Sequence, residues 1–147
     1  AGPCALVGGQ ADDMEQLGDA ASISQLEAIH LRKTGAMITV SLRLGGHTAM
    51  ADAHRLAALQ QYGHAIGLAF QVTDDLLDVE GDEAAMGKKL RKDDAMQKAT
   101  YPRLLGVEGA RARAAELVAQ ACDAVATFGD RAKTLQSLAH FILNRKH

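Results

Sequence analysis

The chain has 147 residues, 48% of them hydrophobic and 23% charged, which suits one domain with its own core and excludes a disordered segment. A formal net charge of −2 leaves no electrostatic footprint for nucleic acid or an anionic membrane surface, and two cysteines, Cys4 and Cys122, are too few for a disulfide framework. Both read as small hydrophobes in a reducing, cytoplasmic compartment, and with no run near ~18 apolar residues and no basic-then-apolar start, neither a membrane span nor a signal peptide is expected.

In chain order the pattern is helical throughout, with two prolines (Pro3 and Pro102), no alternating strand pattern and no repeat. The expected fold class is all-α. The start Ala1-Gly2-Pro3 lacks an initiator Met, consistent with processing or with a piece of something longer. The first segment, Ala5 to about Leu17, carries Gly8-Gly9-Gln10 and then Asp12-Asp13. Adjacent glycines in a helix cost about 1 kcal/mol each against alanine. They signal either close backbone approach by a neighbour or ligand, or a loose N-terminal turn.

Ser22 or Ser24 can cap the second helix, with Glu27 three residues after Ser24 in the manner of a capping box. It runs to about Leu44 and ends at Gly45-Gly46. Lys33, Met37, Val40 and Leu44 share one stripe, and Leu31, Gly35, Ile38 and Leu42 another, so burial on more than one side is expected. Lys33 is thus a cation on an apolar face. It either snorkels to water or meets an anion inside, with Thr34 adding a hydroxyl and Gly35 loosening the helix.

Asp52 caps a third, longer helix that passes Gly63 and Gly67 and leads into Phe70-Gln71-Val72-Thr73-Asp74-Asp75-Leu76-Leu77-Asp78, ending at Glu80-Gly81. Gly67, Gln71, Asp74 and Asp78 lie along one stripe, with Asp75 beside it. Like charges at that spacing repel by about 0.2–0.5 kcal/mol in a free helix, so the arrangement calls for a cation, magnesium being the natural one. Gly63 and Gly67 either leave room beneath the carboxylates or allow tight helix packing.

Residues 82–99 form a charged, weakly periodic segment with Gly87-Lys88-Lys89 and Lys98. It is either a solvated loop or a mobile basic loop that folds over bound metal and phosphate. Thr100-Tyr101-Pro102 restarts order. A fifth helix is expected from about Glu108 to Phe128, with Leu117, Ala121 and Val125 or Ala124 inward, and a last one from Arg131 to about Arg145, with Leu135, Leu138, Phe141 and Ile142 on one side. Six histidines show no HExxH spacing, and the chain has no Gly-x-Ser-x-Gly elbow or P-loop.

The acidic motif is only moderately specific alone. Joined to Lys33-Thr34-Gly35 before it, and to Gly81-Asp82, Gly87-Lys88 and Lys98-Ala99-Thr100-Tyr101-Pro102 after it, it resembles the C-terminal half of a bacterial trans-isoprenyl diphosphate synthase of the short-chain, farnesyl or geranyl, type. The resemblance runs from Val7-Gly8-Gly9-Gln10 to Arg145. It implies an antiparallel helical bundle of the isoprenoid synthase type, of which residues 1–147 are the C-terminal part, and a cytoplasmic homodimer.

Carried over residue by residue, the resemblance makes Asp74, Asp75 and Asp78 magnesium ligands and Lys33, Thr34, Lys88 and Lys98 diphosphate contacts. Phe70 and Gln71 fall beside the reacting carbons, and Gln10 and Asp13 line the allylic pocket. Lys33, Thr34, Gln71 and Asp74 would carry the catalysis. The implied reaction is a magnesium-dependent condensation of an allylic diphosphate with isopentenyl diphosphate.

Two departures stand out. The family's first aspartate-rich motif and its isopentenyl diphosphate arginines have no counterpart in this sequence, so the chain alone is expected to hold half a metal site. Arg91 stands where the family usually has glycine before Lys92-Asp93. A second reading is a non-catalytic partner subunit of a heteromeric synthase. Such a subunit would be expected to have lost the acidic motif, which is intact here. A generic bundle with an incidental acidic helix is disfavoured by the joint motifs.

Overall fold

The computed structural model describes residues 2–15, 22–85 and 99–145, with the side chains at 13–15, 80 and 82–85 left aside. All regular structure among the described residues is helical. The elements are α1 (Leu6–Glu15), α2 (Ile23–His30), a π-helical turn (Leu31–Gly35), α3 (Ala36–Thr48), α4 (Ala53–Ala85), α5 (Tyr101–Ala124), a 3₁₀ segment (Ala126–Ala132) and α6 (Lys133–Asn144). No helix among the described residues is long and apolar enough to cross a membrane.

Ser22, not Ser24, is the N-cap of α2, and its capping-box partner is Gln25. Glu27 does other work. Its Oε1 accepts from Arg113 Nε at 3.1 Å and Nη2 at 2.7 Å, tying α2 to α5. Helical structure then continues through the π-turn to Thr48, past the expected end at Gly45-Gly46. Gly46 is there for packing: a β-carbon on it would lie 2.8 Å from Leu59 Cδ1 and 2.9 Å from Leu56 Cδ2 of α4.

Asp52 caps α4 as expected, its Oδ1 accepting from the Arg55 N–H at 2.9 Å. The helix runs on to Ala85, one turn beyond Glu80-Gly81, so residues 82–85 of the segment read as a loop are helical. Residues 86–98, with Lys88, Arg91 and Lys98, lie outside the described residues.

Around α4 the other elements arrange themselves by residue size. Gly67 meets Gly35 so closely that an added β-carbon would stand 2.7 Å from the Gly35 Cα, and Gly63 meets Thr39, whose Cα would be 2.9 Å away. These two contacts set α3 antiparallel to α4. The room expected beneath the carboxylates is therefore filled by a neighbouring helix. α1 lies on the other side of the π-turn, where a β-carbon on Gly9 would meet the Lys33 backbone nitrogen at 2.6 Å. Of the two readings of Gly8-Gly9, close backbone approach is the observed one.

On its opposite side α4 packs against α5 and α6. Ile66, Ala69, Val72 and Leu76 of α4 join Ala110, Ala114, Leu117, Val118 and Ala121 of α5 in the core. The alanines explain the close approach, since they add little width to α5. Tyr62, 1% exposed, donates its hydroxyl to the Leu135 carbonyl at 2.8 Å, fastening α6 to α4. Burial, with a smaller contribution from Cys122, pushes the Tyr62 phenol up to about 12.

α5 starts at Tyr101, earlier than Glu108, because Thr100 caps it and Pro102 sits in its first turn. Gly106, with φ of 73°, breaks its run and lets the chain bend before the long alanine-rich portion. Phe128 belongs to the 3₁₀ segment, and the last helix begins at Lys133. Leu117, Ala121 and Val125 are buried as expected. Two expected inner stripes are only half inward. Leu31, Gly35, Ile38 and Leu42 pack on the core while Met37, Val40 and Leu44 are exposed, and on α6 Leu135 and Ile142 pack while Leu138 and Phe141 are exposed.

The first residue of α5 is fixed by the acidic motif. Asp75 Oδ2 accepts from the Tyr101 N–H at 3.0 Å, satisfying a donor that the helix itself leaves unpaired. Tyr101 is fully buried, and its ring stacks on His30 with centroids 5.8 Å apart.

Stability outcomes follow at three positions, all read as shifts in a denaturant midpoint. Gly67→Ala should lower stability by about 1–3 kcal/mol, since its β-carbon meets backbone that cannot yield. Gly45→Ala, where nothing lies within 4 Å, should raise it by about 0.5–1 kcal/mol. Asp75→Ala should cost about 1–2 kcal/mol by leaving the Tyr101 N–H unpaired, whereas Asp75→Asn, which keeps an acceptor, should cost under half of that.

Candidate active site

The acidic stretch occupies the C-terminal part of α4, where helical periodicity divides its residues between two sides. Val72, Thr73 and Leu76 point inward and are buried, and the Thr73 hydroxyl donates to the Ala69 carbonyl at 2.9 Å. Phe70, Gln71 and Asp74 are half-buried and Asp78 is exposed. The side that carries Gln71, Asp74 and Asp78 is thus open enough to receive a ligand.

Lys33 and Thr34 lie in the π-turn, which inserts an extra residue per turn where a regular helix would hold a different register. Gly35 ends that turn and makes the close contact with Gly67. The antiparallel contacts of Gly35 with Gly67 and Thr39 with Gly63 put Lys33 and Thr34 on the Gln71 side of the crossing. Both are half-buried. α1 covers the same π-turn and brings Gln10, which is exposed, to this end of the bundle. The Asp13 backbone belongs to α1, while its side chain, with those of Lys88 and Lys98, lies outside the described set. Asp12, beside Asp13, pairs with Arg32 of the π-turn.

The three carboxylates of the motif meet different neighbours. Asp75 is held by the Tyr101 N–H. Asp74 pairs with Arg145, just past the end of α6. The Arg145 guanidinium also donates to the Phe70 carbonyl at 3.2 Å and lies 4.1 Å over the centre of the Phe70 ring. The sequence pattern marked Arg145 only as the end of the last helix. A basic residue at a helix C-terminus is the one signal available, and it does not say which carboxylate will be met.

Among the described residues, no three His, Cys, Asp or Glu side chains converge where a metal could sit. Asp74 and Asp78, four apart on one side of α4, still offer hard oxygen donors of the type magnesium takes. Magnesium is commonly held by one or two carboxylates and completed by water and substrate phosphates. The donor chemistry therefore fits magnesium as a partial site.

The chain matches the model of the polyprenyl synthetase family over residues 4–139. It is 40% identical over 148 residues to the farnesyl diphosphate synthase of Escherichia coli (strain K12), covering 98% of this chain and 50% of that protein. Against the farnesyl diphosphate synthase of Geobacillus stearothermophilus it is 44% identical over 115 residues, covering 78% and 39%. Among solved structures, an FPP/GFPP synthase from Zymomonas mobilis superposes with a TM-score of 0.79 at 34% identity, over 96% of this chain and 46% of the other. A geranyltransferase from Helicobacter pylori, complexed with magnesium and isoprenyl diphosphate, gives a TM-score of 0.73 at 31% identity, over 95% and 46%. The chain thus spans about half the length of the relatives it matches. Its all-α architecture is that of these synthases, and a family-model match across most of its residues makes this chain a member of the polyprenyl synthetase family.

Proposed function

We propose that the protein containing this chain is a magnesium-dependent prenyltransferase that condenses an allylic diphosphate with isopentenyl diphosphate to make a short-chain, farnesyl or geranyl, product. The observation that carries the reading is the open side of α4, where Phe70, Gln71 and Asp74 follow one another beside the Lys33-Thr34 π-turn. The relatives are named farnesyl diphosphate synthases, which favours this reading over a non-catalytic partner subunit. The protein would work in the cytoplasm as a homodimer.

Such a reaction ionises the allylic carbon–oxygen bond, so negative charge concentrates on the departing diphosphate. Magnesium, when bound, would neutralise that charge as a Lewis acid. Asp74 and Asp78 would hold it, and Asp75 would stay with the Tyr101 N–H. Lys33, with Lys88 and Lys98 from the segment after α4, would add fixed positive charge around the phosphates, and the Thr34 hydroxyl would donate to a phosphate oxygen. Each well-placed donor of this type is worth about 2.7–4 kcal/mol of barrier.

At the other end of the substrate, the Phe70 face would shield the developing allylic cation, and the Gln71 amide oxygen would point its dipole toward it. Gln10 and Asp13 of α1 would line the allylic end. The isopentenyl double bond would then attack the cation to form the new carbon–carbon bond, and the proton lost from the neighbouring carbon would pass to the released diphosphate.

The test is turnover of both diphosphates by the complete natural chain. Asp74→Ala should lower it at least about a hundredfold, as loss of a transition-state charge contact does. Asp75→Asn should keep most of it, because the Tyr101 cap survives. Full activity in Asp74→Ala would remove the metal-ligand reading.

A further inference from the structure

We propose that Arg145 is a built-in counter-cation for Asp74, which a divalent cation must displace, so that metal binding on α4 and release of the end of α6 are one coupled event. The inference rests on the reading of Asp74 as a metal ligand. It goes beyond it by assigning Arg145 a role in how the metal arrives.

The geometry is that of a latch with three points. The guanidinium pairs with the Asp74 carboxylate, donates to the Phe70 carbonyl at 3.2 Å and covers the Phe70 ring at 4.1 Å. The Arg145 side chain is 18% exposed and that of Asp74 is 42% exposed, so the acid keeps an open edge while the arginine is largely withdrawn from water. A planar fork that stacks and pairs at once is something lysine cannot reproduce.

The latch is also incomplete. Arg145 Nε is buried and finds no acceptor among the described residues, so part of the guanidinium has given up water without a replacement. Arg145 lies just beyond the last residue of α6, where movement disturbs no helical hydrogen bond beyond that end. Phe70 precedes Asp74 by one turn of α4, so the same guanidinium that neutralises the acid also lies on the ring expected to face the allylic cation.

A divalent ion bound to Asp74 would stand beside this guanidinium, and like charges at that distance repel strongly in a partly buried site. The two cations therefore exclude one another. Linkage then requires reciprocity: whatever loosens Arg145 tightens the metal, and metal binding loosens Arg145 by the same factor. In the metal-free protein the latch keeps Asp74 compensated and Phe70 covered.

The experiment uses the complete natural chain with Mn²⁺ as the probe, its free concentration read by electron paramagnetic resonance without substrate. Arg145→Gln should tighten Mn²⁺ binding at least about threefold, toward the upper range for a half-exposed pair. Asp74→Asn should weaken binding and cancel the effect of Arg145→Gln. In the unmodified protein, Mn²⁺ should speed trypsin cleavage of the Arg145–Lys146 bond by a similar factor. If Asp74→Asn weakens Mn²⁺ binding while Arg145→Gln and the cleavage rate show no such response, the latch is wrong and the metal reading stands. If Asp74→Asn leaves Mn²⁺ binding unchanged, both are overturned.

Discussion

Where the end of the π-turn crosses α4 there are no side chains to separate them: Gly35 and Gly67 approach until a single added β-carbon would sit 2.7 Å from backbone. Thr39 against Gly63 repeats the contact one turn further on. Interiors pack at the density of organic crystals, so such a contact has no slack. It fixes how far Lys33 and Thr34 stand from Gln71 and Asp74. The π-turn that presents Lys33 is held from its other side by a glycine of α1, Gly9. A π-helical turn is thus clamped between two helices.

The carboxylates of α4 show how one short motif can serve both fold and chemistry. Three acids within five residues would repel if all faced one way. The helix turns Asp75 aside from Asp74 and Asp78, and the Tyr101 N–H takes it up. The same hydrogen bond ties the first residue of α5 to α4. Arg145 meets Asp74 from the end of α6. Two donors, a backbone amide on Asp75 and a guanidinium on Asp74, leave Asp78 and the outer edge of Asp74 to face solvent.

Most of the helices were legible because their signals are local. Asp52 followed by Arg55 and a long periodic run reads as a cap and a helix, and Leu117, Ala121 and Val125 read as an inner face, which they are. Boundaries failed where a glycine had two possible uses. Gly45-Gly46 looks like a helix end, yet Gly46 is small so that Leu56 and Leu59 can reach α3. Glu27 looks like a capping-box partner of Ser24, yet it pairs with Arg113 some 86 positions along. Arg145 on Asp74 spans 71 positions. Contacts between residues so distant in sequence are set by the fold and leave no mark in the local pattern. The exposed stripe of Met37, Val40 and Leu44 misled for a related reason: periodicity marks it as apolar, but what would cover it is not among the elements described.

The central claim is that the motif divides its labour, Asp74 and Asp78 toward the metal and Asp75 toward Tyr101. Anomalous diffraction at the manganese edge, from crystals of the complete chain grown with Mn²⁺ and an unreactive allylic diphosphate analogue, tests it directly. The account predicts a manganese peak bridging Asp74 or Asp78 to the diphosphate, with the Tyr101 N–H still on Asp75. A peak coordinated by Asp75 with that hydrogen bond broken, or no peak beside α4, would contradict it.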